Sequence, residues 1–161
     1  MTQNGIVLVV SISIIHEDKL LMIKENKTTV KNTWNFPSGR IEYHEDILEA
    51  ARREAKEETG YDVKLTATTG IYNFMSSTNH QVILFHFIGE IIGGSLQLDT
   101  TEIIDSKWIV PTDLLIPDLL ELRDKGVIKQ ITENLISQKE YSLALFNRYL
   151  ENVVKLTGRL V

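Results

Sequence analysis

The chain has 161 residues, 43% hydrophobic and 24% charged, with a formal net charge of −5. That size and balance suit one globular domain and exclude a disordered or fibrous chain, and a mildly acidic surface is wrong for coating long nucleic acid. Cysteine is absent, which excludes disulfides, thiolate metal sites and a cysteine nucleophile and suits a reducing cytoplasm.

Gly5 to Ile15 is rich in Val and Ile and predicts a buried strand. Its apolar run, Ile6 to Ile15, is too short to span a bilayer, and no basic stretch with a cleavable apolar core precedes it, so a cytoplasmic protein is expected. His16-Glu17-Asp18 reads as a turn and Lys19 to Lys24 as a second strand, giving a hairpin. Glu25 to Thr33 is polar and reads as a loop. Trp34 to Arg40 leads into a helix over Asp46 to Thr59. Strands follow over Val63 to Phe74, with a possible bulge at Gly70, over Gln81 to Ile92, and over Asp105 to Val110. Pro111 opens a helical region that includes the Leu-rich stretch Leu114 to Leu135. Tyr141, Leu145, Phe146, Tyr149, Leu150, Val153 and Val154 recur at helical spacing and predict a C-terminal amphipathic helix, packed on the body or against a second copy. The expectation is a single α/β domain over residues 1–161, a mixed sheet covered by helices with a helical extension over about 112–156.

The helix after Gly39 carries the chemistry. Asp46 and Glu49 have capping spacing, and Gly60 stands where a left-handed C-terminal residue is expected. At about 100° per residue, Ile47, Leu48, Ala50, Ala51 and Ala55 share one arc with Glu54, Glu57 and Glu58. Glu49, Arg52, Arg53, Lys56 and Thr59 fill the opposite, solvated side. Three acids on a core-facing arc repel one another and are costly to bury, so a positive partner is required. Arg53 could serve one of them. A divalent cation would serve all three, and all-oxygen ligation favours Mg²⁺ or Mn²⁺. The three alanines allow close approach to the sheet.

Gly39, Glu45, Arg53-Glu54, Glu57-Glu58 and Gly60 stand at the spacing of the Nudix box, which spans Gly39 to Tyr61, and here the chain resembles the Nudix hydrolase family. Ala55 and Tyr61 occupy its two aliphatic positions. Trp34-Asn35-Phe36-Pro37 precedes the box as in many members, and Ser38 replaces a frequent Gly, whose freedom at φ > 0 a serine lacks. The resemblance implies an α/β/α sandwich and hydrolysis of a pyrophosphate linkage in a nucleoside diphosphate derivative or similar metabolite. It implies metal ligation by Glu54, Glu57, Glu58 and the Gly39 carbonyl, a positioning role for Arg53, and a general base at Glu54 or at a later-loop acid such as Glu102. Arg40 could neutralise substrate phosphate, and Tyr72 and Phe74 could stack on a substrate ring. The expected partner is a small phosphorylated molecule, with no membrane or long nucleic acid, and the protein is expected as a monomer or homodimer. A non-catalytic nucleotide sensor is the alternative. The intact box and the lack of a basic helix-turn-helix segment speak against it, and a Nudix-like isomerase would need a cysteine.

Overall fold

The computed structural model describes residues 5–151. Four strands precede the first helix: β1 (Ile6–His16), β2 (Lys19–Lys27), β3 (Val30–Asn35) and β4 (Ser38–Arg40). Helix α1 (Ile47–Thr59) leads to β5 (Tyr61–Met75), β6 (Gln81–Gly94) and β7 (Ile103–Ile109). A 3₁₀ turn (Pro111–Leu115), helix α2 (Lys125–Ile136) and a second 3₁₀ turn (Leu143–Leu145) complete the order.

The sheet is mixed, with β1 at its centre running parallel to β6 and antiparallel to β2 and β4. Side chains alternate across a strand, so Leu20 and Met22 enter the core beneath α2 while Leu21 enters the core beneath α1. Helices on both faces bury such a strand twice over, which is why β2 reads as a continuous apolar run. Ile128 and Ile131 of α2 close one face. Ala50, Ala51 and Ala55 of α1, all fully buried, close the other. The result is the expected α/β/α sandwich.

One irregularity of the sheet makes the site. The β1–β2 hairpin turns at Glu17 and Asp18, both at positive φ as a tight turn of matching twist requires. The strands pair only at Ile15↔Leu20 and His16↔Lys19, then part. β4 takes up the free edge of β1 from Val9↔Arg40 to Ser11↔Ser38, and β3 takes up that of β2 from Ile23↔Asn35 onward. The stretch from Trp34 to Arg40 therefore fills a fork between two strands. α1 starts beside that fork. Asp46 caps it by accepting from Leu48 N and Glu49 N, and Gly60 ends it in the left-handed region, where a β-carbon would run into the Ser95 carbonyl.

Several expectations are corrected. Glu25 to Thr33 is not a loop: β2 continues to Lys27 and β3 begins at Val30, because the polar side chains of this stretch find partners in the site. Thr59 is buried rather than solvated, its hydroxyl donating to Ala55 O and accepting from Tyr61 N. Gly70 does lie at a register shift in β5. The C-terminal amphipathic helix does not form in its described part. Tyr141 bridges to Thr68, a single 3₁₀ turn follows, and Phe146 packs its ring on Phe85 and Phe87. Phe146 meets the sheet from an irregular strap while Leu145 and Leu150 stay exposed, so the periodic residues do not share one buried face. Val153 and Val154 lie outside the described residues.

Candidate active site

A cleft of about 510 Å³ opens at the fork. Gly39, Arg40, Arg53, Glu54 and Glu57 form one wall. Lys27, Glu102 and Arg123 lie on its other sides, and Phe74 and Val82 supply apolar surface.

Arg53 organises the first wall. Its Nε donates to Glu45 Oε1 at 2.6 Å and its Nη2 to Glu45 Oε2 at 2.9 Å, a two-pronged pairing. Nη1 donates to Glu54 Oε1 at 2.7 Å and Glu57 Oε2 at 3.1 Å, and Nη2 also to the Arg40 carbonyl at 3.1 Å. The Glu45 bonds, and then Glu54, hold the guanidinium charged well beyond its ordinary range. Arg53 in turn draws the Glu45 carboxyl below its usual value, chiefly through the hydrogen bond and against the effect of burial. Burial pushes Glu54 upward despite Arg53 beside it.

Lys27 organises the second group. Its Nζ lies 3.3 Å from Glu58 Oε1, 3.5 Å from Glu25 Oε1 and 3.5 Å from Glu102 Oε2. Burial works against its charge, but Glu58, Glu25 and Glu102 more than offset this and raise its pKa. Glu58 is 4% exposed and accepts from Ser38 N at 2.8 Å. Burial pushes its carboxyl up to about 8 even with Lys27 opposing.

The three helix acids are thus not alike. Glu58 is buried, Glu54 keeps 12% of its side chain exposed, and Glu57 keeps 56% and faces the open cleft. The expectation that all three point inward is corrected for Glu57. Arg53, expected to pair with one of the three acids, pairs with both Glu54 and Glu57, and Lys27 pairs with Glu58. Ser38 sits outside the left-handed region, so no strain follows from its replacing a glycine. Gly39 matters for a different reason: a β-carbon there would displace the Glu54 carboxylate.

A model of the NUDIX domain matches residues 6–131, the whole span from β1 into α2. The chain belongs to the Nudix hydrolase family. A Bacillus subtilis protein named as a candidate 8-oxo-dGTP diphosphatase is 34% identical over 110 residues, covering 68% of this chain and 67% of that protein. A mouse 8-oxo-dGDP phosphatase is 30% identical over 130 residues, covering 78% of this chain, but only 40% of the mouse protein is matched. Among solved structures, a Nudix hydrolase from Nitrosomonas europaea superposes with a TM-score of 0.78 at 26% identity, covering 89% of this chain and 97% of that one.

Nudix hydrolases work with a divalent cation, and the donor set here suits one. The carboxylates of Glu54, Glu57 and Glu58 and the Gly39 carbonyl are hard oxygen donors of the kind Mg²⁺ prefers. Glu54 is pressed into the hollow left by the missing Gly39 side chain. Among the described residues no three acids are grouped to hold a metal ion in this arrangement: Arg53 engages Glu54 and Glu57, and Lys27 engages Glu58.

Of the expected substrate contacts, Arg40 and Phe74 line the cleft. Tyr72 does not: it is buried in the core under α2, donating to Thr69 Oγ1 at 2.9 Å and accepting from Asn134 Nδ2 at 2.8 Å. Tyr72 and Phe74 share one face of β5, but Tyr72 lies two residues away along the strand, where Asn134 of α2 covers it, while Phe74 reaches the cleft. His80 lines the cleft, whereas His86 is fully buried between Ser11 Oγ and Ser13 Oγ, and burial drops its pKa to about 3, so it is neutral. Lys24 lies over the Trp34 ring.

Sequence reasoning missed Glu25, Lys27 and Arg123. Glu25 and Lys27 share a strand face two residues apart, a signal hidden by reading the segment as loop. Arg123 meets Glu25 across 98 positions of sequence and leaves no local signal.

Proposed function

We propose that this chain is a Mg²⁺-dependent hydrolase that cuts the pyrophosphate linkage of a small nucleoside di- or triphosphate derivative by attack of water on phosphorus. The observation that carries the reading is the Arg53 network, which ties Glu45, Glu54, Glu57 and the Arg40 carbonyl into one rigid wall of an open cleft. Bound Mg²⁺, held by Glu54, Glu57, Glu58 and the Gly39 carbonyl, would neutralise phosphate charge and lower the pKa of a coordinated water.

The protein's own groups supply orientation and proton transfer. Arg53 fixes the acids so that no reorganisation is needed during reaction. Arg40 stands at the cleft to meet phosphate charge, and Phe74 offers a face to the organic part of the substrate. Two carboxylates reach the cleft as bases for the water: Glu54, held by Arg53, and Glu102, half-exposed beside Lys27. Mn²⁺ is expected to substitute for Mg²⁺. The names of the Bacillus and mouse relatives put oxidised purine deoxynucleotides first among substrates to test.

The decisive experiment is a panel of 8-oxo-dGTP, 8-oxo-dGDP, other (d)NTPs, nucleotide sugars, dinucleotides and thiamin-type pyrophosphates, assayed with Mg²⁺ and with EDTA. Metal-dependent phosphate or pyrophosphate release supports the reading. Tight binding of a nucleotide with no release would replace it with a sensing role.

A further inference from the structure

Resting on the reading of the cleft as the substrate site, we infer that Arg123 is a substrate-binding residue. It donates to an acceptor oxygen of the substrate, with buried Glu25 as its positioning residue.

Arg123 belongs to the segment just before α2, and that segment is stitched to β3. Trp34 N donates to Glu121 O at 2.8 Å, Arg123 N donates to Trp34 O at 2.9 Å, and Trp34 pairs with Leu122 in parallel. The stitching delivers the Arg123 side chain to the cleft wall. There its Nη1 donates to both Glu25 oxygens, at 3.1 and 3.0 Å, and its Nε lies 3.6 Å from Asp124 Oδ2. Neither acid takes Nη2. The side chain keeps 23% of its surface exposed while Glu25 keeps none. A guanidinium fixed on one edge and open on the other presents donors of defined direction to whatever fills the cleft.

A tie between β2 and the α2 segment would not by itself need these charges. Apolar residues in place of a buried ion pair are often as stable or more so, and a fully buried acid is costly. The charges make sense if the arginine works in the cleft. Glu25 then sets its angle, and Lys27, 3.5 Å from Glu25, links this pair to Glu58 of the box helix.

The test uses the full chain and the variants Arg123→Met, Arg123→Lys and the double variant Glu25→Gln/Arg123→Met. The double variant removes the buried acid together with its partner, so it folds even where the single methionine variant leaves Glu25 unpaired. Binding is measured by calorimetry with α,β-methylene-dGTP and with inorganic pyrophosphate, and kcat and KM with whichever panel nucleotide the wild type cuts. Both methionine variants are expected to bind the methylene analogue about tenfold or more weakly and to raise KM by a similar factor, with kcat changing much less. Arg123→Lys recovers only part, lacking the planar fork. Weakened pyrophosphate binding places the acceptor on phosphate, and unchanged pyrophosphate binding places it on the nucleoside. A folded double variant that binds the analogue and shows a KM like the wild type overturns the assignment while leaving the hydrolase reading intact. A wild type that neither binds nor cuts overturns both.

Discussion

The carboxylate of Glu54 lies where Gly39 would carry a β-carbon. Two stretches of sequence fifteen positions apart are thereby matched, since the Glu54 carboxylate can keep this place only while Gly39 lacks a side chain. Gly39→Ala must push Glu54 aside. A displacement of about 1 Å at a reacting centre costs on the order of 100-fold in rate. Gly39 is not at positive φ, so the variant is expected to fold and to lose stability only modestly. Steady-state kinetics beside thermal melting checks this, and near-normal turnover in Gly39→Ala would show that Glu54 does not need its present place.

Arg53 and Glu57 separate structural from chemical roles. Arg53→Lys replaces a fork that holds Glu45 by two bonds with a single ammonium that cannot also reach Glu54 and Glu57. Turnover is expected to fall by about 100-fold, with stability down by about 1–3 kcal/mol as partly buried acids lose their donor. Glu57 is mostly exposed. Glu57→Gln should therefore melt like the wild type yet lose about 100-fold or more in turnover. A Glu57→Gln enzyme of nearly normal rate would remove Glu57 from the site.

Glu58 makes the metal-free protein sensitive to alkali. Burial raises its carboxyl from 4.5 to about 8. The folded state therefore holds a proton that the unfolded chain releases, and this contribution is complete below the unfolded value and lost as pH climbs through about 8. Glu45 has the opposite sign, its contribution being lost only as pH falls through its lowered value, and the charge of Lys27 persists past the window because its pKa is raised. In EDTA the melting temperature should fall from about pH 5 to about pH 8, and Glu58→Gln should flatten that fall. A wild-type profile already flat over this range would contradict the shift.

The box helix was legible because its evidence is local. Asp46, Gly60 and the three alanines each perform the expected task. The fork was not legible, since it depends on how far β1 and β2 stay paired, and nothing within either strand sets that length. Glu57 was misplaced because a wheel of fixed angle cannot tell a side chain at the edge of the apolar arc from one inside it. Tyr141 onward failed for a related reason: apolar residues at helical spacing need not share one buried face, and here Phe146 packs on the sheet while Leu145 and Leu150 stay exposed. Arg123 was invisible because its partners come from β2 and β3, and only the closed fold brings them together.

Lys27 gives a way to test the proposed cation site without turnover. Its ammonium stands within 3.5 Å of Glu25, Glu58 and Glu102, and of these Arg123 reaches only Glu25. Lys27→Met keeps most of the aliphatic stem and removes the charge, leaving Glu58 buried with the Ser38 amide as its remaining donor. Glu25, Glu58 and Glu102 lose their shared cation, so the metal-free variant should melt below the wild type. A divalent cation bound at Glu58 would restore the missing positive charge in the variant, whereas in the wild type it must share Glu58 with the ammonium. The rise in melting temperature on adding Mg²⁺ should therefore be larger for Lys27→Met than for the wild type, by calorimetry at matched metal concentrations. Equal rises in the two proteins would mean that the metal binds beyond the reach of Glu58, and the ligand set would then reduce to Glu54, Glu57 and the Gly39 carbonyl.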